Sequence, residues 1–349
     1  MIGKLLFLLT LSAGDVVLPA DTPEVRYVGR TEISSEKEVA FDWSGTYFST
    51  ILCGKSMKMA VSSEGESWFN VFTDGVQTDV ICINTPDTLV TVVDGLSKGK
   101  HEIRIQKRTE GEFGNVRIKN FVLPRGASLQ CPESPSRHIE FIGNSLTCGF
   151  GTEGKSADEP FKLSTENCNL SYSTRIADYF SADYTLIAHS GQGAVRNYGD
   201  SVRVSKVNMQ DRMLRAFDMK ETLWQGGYTP DIVVISLGSN DFSTEPHPYK
   251  SEFVKGYSNI ISQIRSLYGG IPVLCVCPPV IGGPLYDYLR EIKRTINDPA
   301  VYIMELTPGL YNSTTDLGSV CHPNASGQLK MAMAIIPYIS TITGWEMKN

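Results

Sequence analysis

In the stretch Phe141-Ile142-Gly143-Asn144-Ser145-Leu146-Thr147, an apolar run is followed by a glycine, an amide and a hydroxyl. A short apolar run bounded by turn residues is typical of a buried strand, and serine is a common N-cap of a helix. Taken alone, Ser145 is better explained by such a strand-to-helix turn than by catalysis. Its role therefore depends on the elements around it.

The chain beyond this stretch alternates apolar strands with amphipathic helices. Strands are predicted at residues 139–142, 184–187, 231–237, 272–276 and 301–304, and helices near 170–180, 207–217, 251–268, 285–296 and 326–339. This alternation predicts a mainly parallel sheet covered on both faces, with ligands at the carboxyl ends of the strands. Candidate chemistry is therefore sought just after each strand.

The preceding half has a different periodicity. Residues 25–123 show short alternating or β-branched runs, separated by turn dipeptides such as Asp74-Gly75 and Asp94-Gly95. These dipeptides suit tight hairpins, and we predict an all-β sandwich without a helix. Residues 124–137, with three prolines, are the predicted linker to a catalytic domain over 138–345. A chain of 349 residues is long enough for two such domains.

The N-terminus resembles a secretory signal. An apolar run over residues 5–13 that no charged residue interrupts follows Lys4, and residues 1–20 are the predicted signal peptide, cleaved after Ala13 or Ala20. The alternatives are an N-terminal strand or a misassigned start. No stretch reaches the roughly twenty apolar residues of a membrane span. We therefore expect a secreted, periplasmic or cell-surface protein with no membrane span.

Charge and cysteine spacing limit the classes of partner and cofactor that the chain is expected to bind. The formal charge of −6 and the lack of a basic run disfavour a nucleic-acid partner, because phosphate binding needs clustered Lys and Arg. The eight cysteines include no C-x-x-C pair and no zinc spacing. Buried free thiols are therefore expected, with one disulfide as the alternative after export. No metal or cofactor is predicted, and the oligomeric state is left open.

Three further loops place polar groups at the same predicted edge of the sheet. Gly191 lies in Ser190-Gly191-Gln192-Gly193 after the second strand, where small residues expose backbone N–H groups. Asn240 follows the third strand, and His322 precedes the last helix. Each motif alone is explained by turn chemistry. Their convergence with Ser145 on one edge is not expected by chance.

Taken in order, Gly-Asn-Ser, Ser-Gly, Gly-x-Asn-Asp and His-Pro resemble the four sequence blocks of the SGNH, or GDSL-like, hydrolases. The β-rich half followed by Gly-Asn-Ser-Leu-Thr-Cys-Gly is similar to carbohydrate esterase family 2, in which a jelly-roll domain precedes an SGNH domain. The resemblance covers nearly the whole chain. It implies an N-terminal all-β jelly-roll sandwich, a C-terminal α/β SGNH-hydrolase (flavodoxin-like) domain with a parallel sheet, and an acetyl xylan esterase type of activity.

The resemblance also implies residue roles. His322 would take the proton of Ser145 and later return it to the leaving sugar hydroxyl, through an acyl-serine intermediate. The backbone N–H groups of Ser145 and Gly191 and the side-chain amide of Asn240 would form the oxyanion hole. The expected partner is an acetylated carbohydrate.

Three features depart from the family pattern. Asn144 stands where Asp is commoner, and Cys321 stands where a Trp commonly provides a sugar platform. Ser319 and Val320 occupy the positions from which an Asp usually orients the histidine. As in some family 2 esterases, a main-chain carbonyl is expected to hold His322, with Asp316 as the weaker alternative.

Other candidates have structural explanations. Asp241 is predicted to satisfy loop N–H groups, and Glu166 and Asn167 either cap the following helix or touch substrate. Trp43 and Trp68 are predicted to lie in the core.

Two rival functions remain open. The same blocks serve lipid or thioester hydrolases, for which a long apolar pocket would be expected. The missing Asp allows a catalytically impaired carbohydrate-binding protein, although the presence of Ser145, Asn240 and His322 together argues against it.

Overall fold

The structure is a computed structural model that describes residues 14–279 and 284–348. The chain divides into two compact units. The first comprises residues up to Asp42, Thr46–Lys107 and Glu112–Glu133, and the second comprises Trp43–Gly45, Arg108–Gly111 and the chain from Ser134 onward. Two short segments of the N-terminal half thus belong to the second unit, which the sequence pattern does not predict.

The first unit is a sandwich of two antiparallel sheets. Its strands are β1 Val16–Pro19, β2 Arg26–Val28, β3 Glu32–Ile33, β4 Val39–Phe41, β5 Tyr47–Cys53, β6 Met57–Gly65, β7 Ser67–Thr73, β8 Val76–Ile83, β9 Thr88–Val93, β10 Lys100–Lys107, β11 Gly114–Leu123 and β12 Ser128–Gln130. One sheet has the order β3-β4-β11-β6-β9, with β1 on β11, and the other has the order β12-β5-β10-β7-β8, with β2 on β5. The core includes the buried Phe48, Phe69 and Phe121. The predicted all-β sandwich is confirmed, and residues 14–133 contain no helix.

Two predicted intervals contain strands that the sequence does not reveal. Within the predicted signal peptide, residues 1–13 lie outside the described residues, but β1 pairs with β11 and Ala20 is buried in the core. Cleavage after Ala13 would leave this strand in place, whereas cleavage after Ala20 would remove it. The predicted linker contains β12, which pairs with β5.

The second unit is a parallel sheet with helices. Its strands are β13 His138–Gly143, β14 Asp183–Ala188, β15 Ile232–Ile235, β16 Val273–Cys277 and β17 Val301–Glu305. Its helices are α1 Ser145–Cys148, α2 Tyr172–Phe180, α3 Met209–Arg212, α4 Ser239–Ser243, α5 Lys250–Tyr268, α6 Leu285–Ile296 and α7 Ala325–Thr343. The strand order β14-β13-β15-β16-β17 confirms the flavodoxin-like arrangement. Because β14 and β15 lie on opposite sides of β13, the chain connections on the two sides run in opposite directions. The carboxyl end of β13 therefore opens into a crevice.

The helix predicted over residues 207–217 is wrong in length. A capping box between Asn208 and Asp211 starts α3, but the helix ends at Arg212. Arg215 then forms a β-bridge with Leu223, while Met213 and Phe217 are buried. Packing of this irregular segment overrides the helical periodicity.

The predicted core role of Trp43 is confirmed. Its side chain is fully buried in the core of the second unit, and its indole N–H donates to the Ala216 carbonyl at 3.1 Å.

All eight cysteines lie in the described ranges and are free thiols, so the alternative of one disulfide is wrong for this structure. Within the same ranges, every helix is too short or too polar to cross a bilayer.

Candidate active site

Ser145 is the first residue of α1, directly after β13. The helix is capped by Asn144 rather than by the serine: Asn144 Oδ1 accepts from the Leu146 N–H at 3.3 Å, and Nδ2 donates to Ser239 Oγ at 2.8 Å. Gly143 allows this tight turn, because a Cβ there would lie 2.0 Å from Thr147 Oγ1. The capping amide leaves the Ser145 hydroxyl available to the crevice, which it lines.

His322 contacts the serine directly. The distance from His322 Nε2 to Ser145 Oγ is 2.9 Å, and Nδ1 lies 2.9 Å from the Val320 carbonyl oxygen. A carbonyl can only accept, so Nδ1 carries the proton and Nε2 is the acceptor for the serine hydroxyl. This is the tautomer that a general base requires.

The Val320 carbonyl is aimed by an unusual backbone conformation. Val320 and Cys321 have φ values of 53° and 56°, in the left-handed region that a β-branched residue rarely enters. The surrounding chain fixes this conformation, since the Val320 N–H donates to the Glu159 carbonyl and the Cys321 N–H to the Ala157 carbonyl, both at 3.0 Å. Strain of this kind persists where neighbouring contacts impose it.

Asp316, the alternative partner of His322, is directed elsewhere. Its carboxylate accepts hydrogen bonds from Lys330 Nζ, from the Asn312 N–H at 2.6 Å and from Ser326 Oγ at 3.0 Å. Burial alone would raise the pKa of Asp316, but these three donors together hold it at about 2. Asp316 therefore organises the loop that precedes His322 and is not the orienting acid.

The surroundings of His322 favour the neutral imidazole. Burial lowers the pKa of His322, and the hydrogen bond to Val320 and the negative charge of Glu110 oppose this effect in part. The Phe150 ring lies 4.5 Å from the imidazole and stacks on Phe161 at 3.9 Å. These rings restrict water on one side of the base.

The two loops expected to form the oxyanion hole are tied together by hydrogen bonds. Asn240 Nδ2 donates to the Gln192 carbonyl at 2.8 Å, which leaves its second N–H for another acceptor. Gly191 has a φ of 76°, a left-handed conformation that favours glycine. Both residues and Ser145 line one cavity.

Asp241 has the structural role predicted for it. Its carboxylate accepts from the N–H groups of Ala194, Val195 and Arg196 at 2.8–2.9 Å. Burial raises the pKa of Asp241 to about 6, although the three backbone donors act in the opposite direction. This carboxylate joins the Asn240 turn to the Gly191 loop.

The cavity has a volume of about 480 Å³. It contains all four predicted site residues, together with Tyr198, which sequence reasoning did not single out and which is 63% exposed. Cys321 is exposed at the position where a tryptophan is common in the family. The remaining lining is Leu146, Phe150, Ser190, Ser239, Ser243, Val320 and Pro323.

Three buried residues of the second unit could offer ligands to a metal ion: Glu110, Cys148 and Glu166. Burial raises the pKa of Cys148 well above its ordinary value, and the two carboxylates raise it further. The Cys148 thiol is therefore protonated in the absence of a metal ion and is hydrogen-bonded to Glu110. Asn167 caps the following 3₁₀ turn by accepting from the Asn169 N–H at 3.1 Å, whereas Glu166 is fully buried.

Two family profiles match the chain. Residues 27–132 match the family described as "Carbohydrate esterase 2 N-terminal", and residues 141–329 match the "GDSL-like Lipase/Acylhydrolase family". The second match alone spans more than half of the chain.

Named relatives agree with these profiles. The chain is 32% identical over 333 residues to "Cellulase/esterase CelE" of Acetivibrio thermocellus, covering 93% of this chain and 40% of the length of that relative. It is 24% identical over 348 residues to an "Acetylxylan esterase / glucomannan deacetylase" of Cellvibrio japonicus, covering 96% of this chain and 94% of that one.

Solved structures show the same architecture. A family two carbohydrate esterase from Clostridium thermocellum, in complex with cellohexaose, has a TM-score of 0.87 and 31% identity, over 92% of this chain and 100% of that chain. A family two carbohydrate esterase from Cellvibrio japonicus has a TM-score of 0.86 at 22% identity, over 95% of this chain and 98% of that chain, which supports the fold alone.

Proposed function

Because the chain belongs to the GDSL-like lipase/acylhydrolase family and to carbohydrate esterase family 2, we propose that it removes O-acetyl groups from polysaccharide or oligosaccharide by Ser145–His322 catalysis. The observation that carries this proposal is the 2.9 Å contact between His322 Nε2 and Ser145 Oγ, with the opposite ring nitrogen held by the Val320 carbonyl. The family supplies the class, carboxylic ester hydrolysis.

The proposed reaction proceeds in two steps. Ser145 Oγ attacks the acetyl carbonyl while its proton moves to His322 Nε2, and the imidazolium then protonates the departing sugar oxygen. Water, activated by the same imidazole, attacks the acetyl-serine and releases acetate. Throughout the cycle, Nδ1 keeps its proton and donates a hydrogen bond to the Val320 carbonyl, which keeps Nε2 directed at the serine.

The oxyanion donors follow from the loop arrangement. As the carbonyl carbon becomes tetrahedral, its oxygen gains negative charge that we assign to the N–H groups of Ser145 and Gly191 and to the free N–H of Asn240. The bond from Asn240 to the Gln192 carbonyl fixes the amide before substrate arrives. Such preorganised donors require no rearrangement at the moment of reaction.

Replacing Asn240 with alanine is expected to lower kcat on an acetyl ester by roughly 10²–10³-fold, because one oxyanion donor is lost. The substitution also removes the bond to Gln192, so thermal unfolding should be compared with that of Gln192→Ala, which leaves this main-chain acceptor in place. A rate for Asn240→Ala within about threefold of the wild type would exclude the amide from the oxyanion hole.

The rate should depend on the depressed pKa of His322. Because burial stabilises the neutral imidazole, the base is already active at neutral pH, and the acid limb of kcat/KM should have its midpoint below the ordinary histidine value of 6.5. A pH profile with a small acetyl ester tests this. Asp241, with a pKa of about 6, titrates in the same region, so the profile of Asp241→Asn is the control. A midpoint at or above 6.5 contradicts the assignment.

The cavity favours carbohydrate over lipid as the acyl carrier. Its lining includes the hydroxyl-bearing residues Ser190 and Ser239, which suit a polyhydroxylated leaving group. The exposed Tyr198 ring offers a flat apolar face of the kind on which sugar rings pack. The intact Ser145–His322 contact disfavours the rival function of an impaired binding protein.

The substrate and location are proposed from the relatives. Those named acetylxylan esterase or glucomannan deacetylase suggest acetylated xylan or glucomannan as substrates, and such polymers require export of the enzyme. Acetate release from both glycans and from a small ester, by wild type and by Ser145→Ala, tests the proposal. Hydrolysis of the small ester alone would retain the chemistry and reject the glycan, and serine-dependent release from long-chain esters alone would favour the lipid hydrolase.

A further inference from the structure

Glu110 is a fully buried carboxylate in the segment between β10 and β11. This segment, Arg108–Gly111, belongs to the second unit although most of its neighbours in the sequence belong to the first. Arg108 fixes the segment there, because its Nε donates to the Glu166 carbonyl at 2.9 Å and its guanidinium pairs with Glu153. The segment thus places the buried Glu110 carboxylate in the second unit, which contains Ser145 and His322.

The Glu110 carboxylate accepts two hydrogen bonds from Ser190, the residue before the proposed oxyanion donor Gly191. Its Oε2 accepts from the Ser190 N–H at 2.5 Å, and its Oε1 accepts from the Ser190 hydroxyl. The following peptide carries the N–H of Gly191. Binding both donors of Ser190 to one carboxylate restricts the orientation of this peptide.

The same loop is fixed from its other end. The Tyr198 N–H donates to the Gly191 carbonyl at 2.8 Å, and the Gln192 N–H donates to the His189 carbonyl at 3.2 Å. His189 is itself held by Asp218, with 2.8 Å between Nδ1 and Oδ2. Glu110 completes this support on the side of Ser190.

Glu110 is also linked to the site of the base, because Ser190, which donates to it, lines the same cavity as His322. Its negative charge raises the pKa of His322 against the effect of burial. The Val320 carbonyl orients the imidazole but carries no net charge. In a Ser-His-Asp triad, one carboxylate performs both tasks.

We propose that Glu110 is a positioning residue of this esterase, which sets the Ser190–Gly191 turn for the oxyanion and supplies the negative charge that the absent triad carboxylate would give to the imidazolium. This inference rests on the function proposed above. Proton transfer from Ser145 creates a positive imidazolium and a negative oxyanion together. Glu110 supports the first through its negative charge and the second through the Gly191 peptide.

Glu110→Gln tests the charge while retaining a side chain of the same shape. We expect kcat to fall by about tenfold with KM changed by less than about threefold, and the acid limb of kcat/KM to move to lower pH. Glu110→Ala, which also frees Ser190, should lower kcat by roughly 10²-fold. Ser190→Ala keeps the negative charge of Glu110 and one of its two hydrogen bonds to Ser190. We therefore expect a smaller loss of kcat and an unchanged midpoint of the acid limb.

Glu140→Gln is the matched control. Glu140 is an equally buried carboxylate in β13 that accepts from the hydroxyl groups of Tyr228 and Tyr268, at 2.5 and 2.8 Å. Its neutralisation should lower the unfolding temperature without altering the pH midpoint. If Glu110→Gln matches Glu140→Gln in rate and profile while Ser145→Ala is inactive, Glu110 is merely structural.

An NMR titration of the His322 imidazole in wild type and Glu110→Gln separates this inference from the enzymatic function. The pKa should fall in the variant, whether or not the protein turns over an ester. An unchanged pKa overturns the electrostatic part. An inactive wild type with a lowered pKa in the variant would refute the esterase function alone. If Glu110→Gln fails to fold, Ser190→Ala decides the positioning part, and unchanged kcat in that variant overturns it.

Discussion

Replacing Ser145 with alanine should lower kcat on an acetyl ester by at least roughly 10⁴-fold, because the nucleophile is lost and only the binding and oxyanion groups remain. The fold should survive, since the helix cap is provided by Asn144 and the serine backbone stays in place. Steady-state kinetics and a thermal melt measure both effects. A serine-directed phosphonate should label the wild type on Ser145 and leave the variant unmodified.

Ser243→Ala is the control for this prediction. Ser243 lines the same cavity, but its hydroxyl donates to the Asn240 carbonyl at 3.2 Å and has no role in the proposed proton transfer. Its kcat should stay within about threefold of the wild type, as for a surface hydrogen bond. Substantial turnover by Ser145→Ala would reject Ser145 as the nucleophile and the reaction scheme built on it.

Replacing His322 with alanine should lower kcat by a similar factor, roughly 10⁴-fold or more, because the serine then has no base. The double variant Ser145→Ala/His322→Ala should be no slower than the slower of the two single variants, since the pair acts as a unit. The three rates, measured on one ester, test this non-additivity. A further large loss in the double variant would show that the two residues act independently.

Asp316→Asn distinguishes the two candidates for orienting His322. The substitution weakens the bonds to Lys330 and Ser326, so the unfolding temperature should fall. The rate per folded molecule should remain close to that of the wild type, because Nδ1 is bound to Val320. A loss as large as that of His322→Ala would instead assign the orienting role to Asp316.

The parallel sheet could be predicted because strands such as β15 and β16 are apolar runs buried on both faces. Ile232–Ile235 is fully buried, and such runs are conspicuous in the sequence. The turn after β13 is recognisable for the same reason, since Asn144 and Ser145 follow a strand that ends at Gly143. Local patterns also located Gly191, Asn240 and His322, because each lies close to a predicted strand or helix.

Other features depend on contacts between residues far apart in the chain. Glu110 is 80 positions from Ser190, and no periodicity connects them. Trp43 was predicted to be buried, but nothing local indicates that it belongs to the second unit. The sequence predicts that a main-chain carbonyl orients His322 but does not indicate which residue provides it. Its assignment to Val320 depends on a left-handed conformation, which valine does not favour.

The use of a peptide carbonyl to hold His322 means that this function is encoded by chain conformation and by no side-chain type. An alanine scan across residues 319–321 would leave the oxygen in place and could pass over it entirely. Unlike the carboxylate of an aspartate, a peptide carbonyl is not protonated in mildly acidic water. Its hydrogen bond to Nδ1 is therefore not lost by protonation of the acceptor. Substitutions that alter the chain path, such as proline at Cys321, whose φ is 56°, should expose it. Searches that match side chains alone will therefore find two members of the proposed catalytic group, Ser145 and His322, and overlook the third.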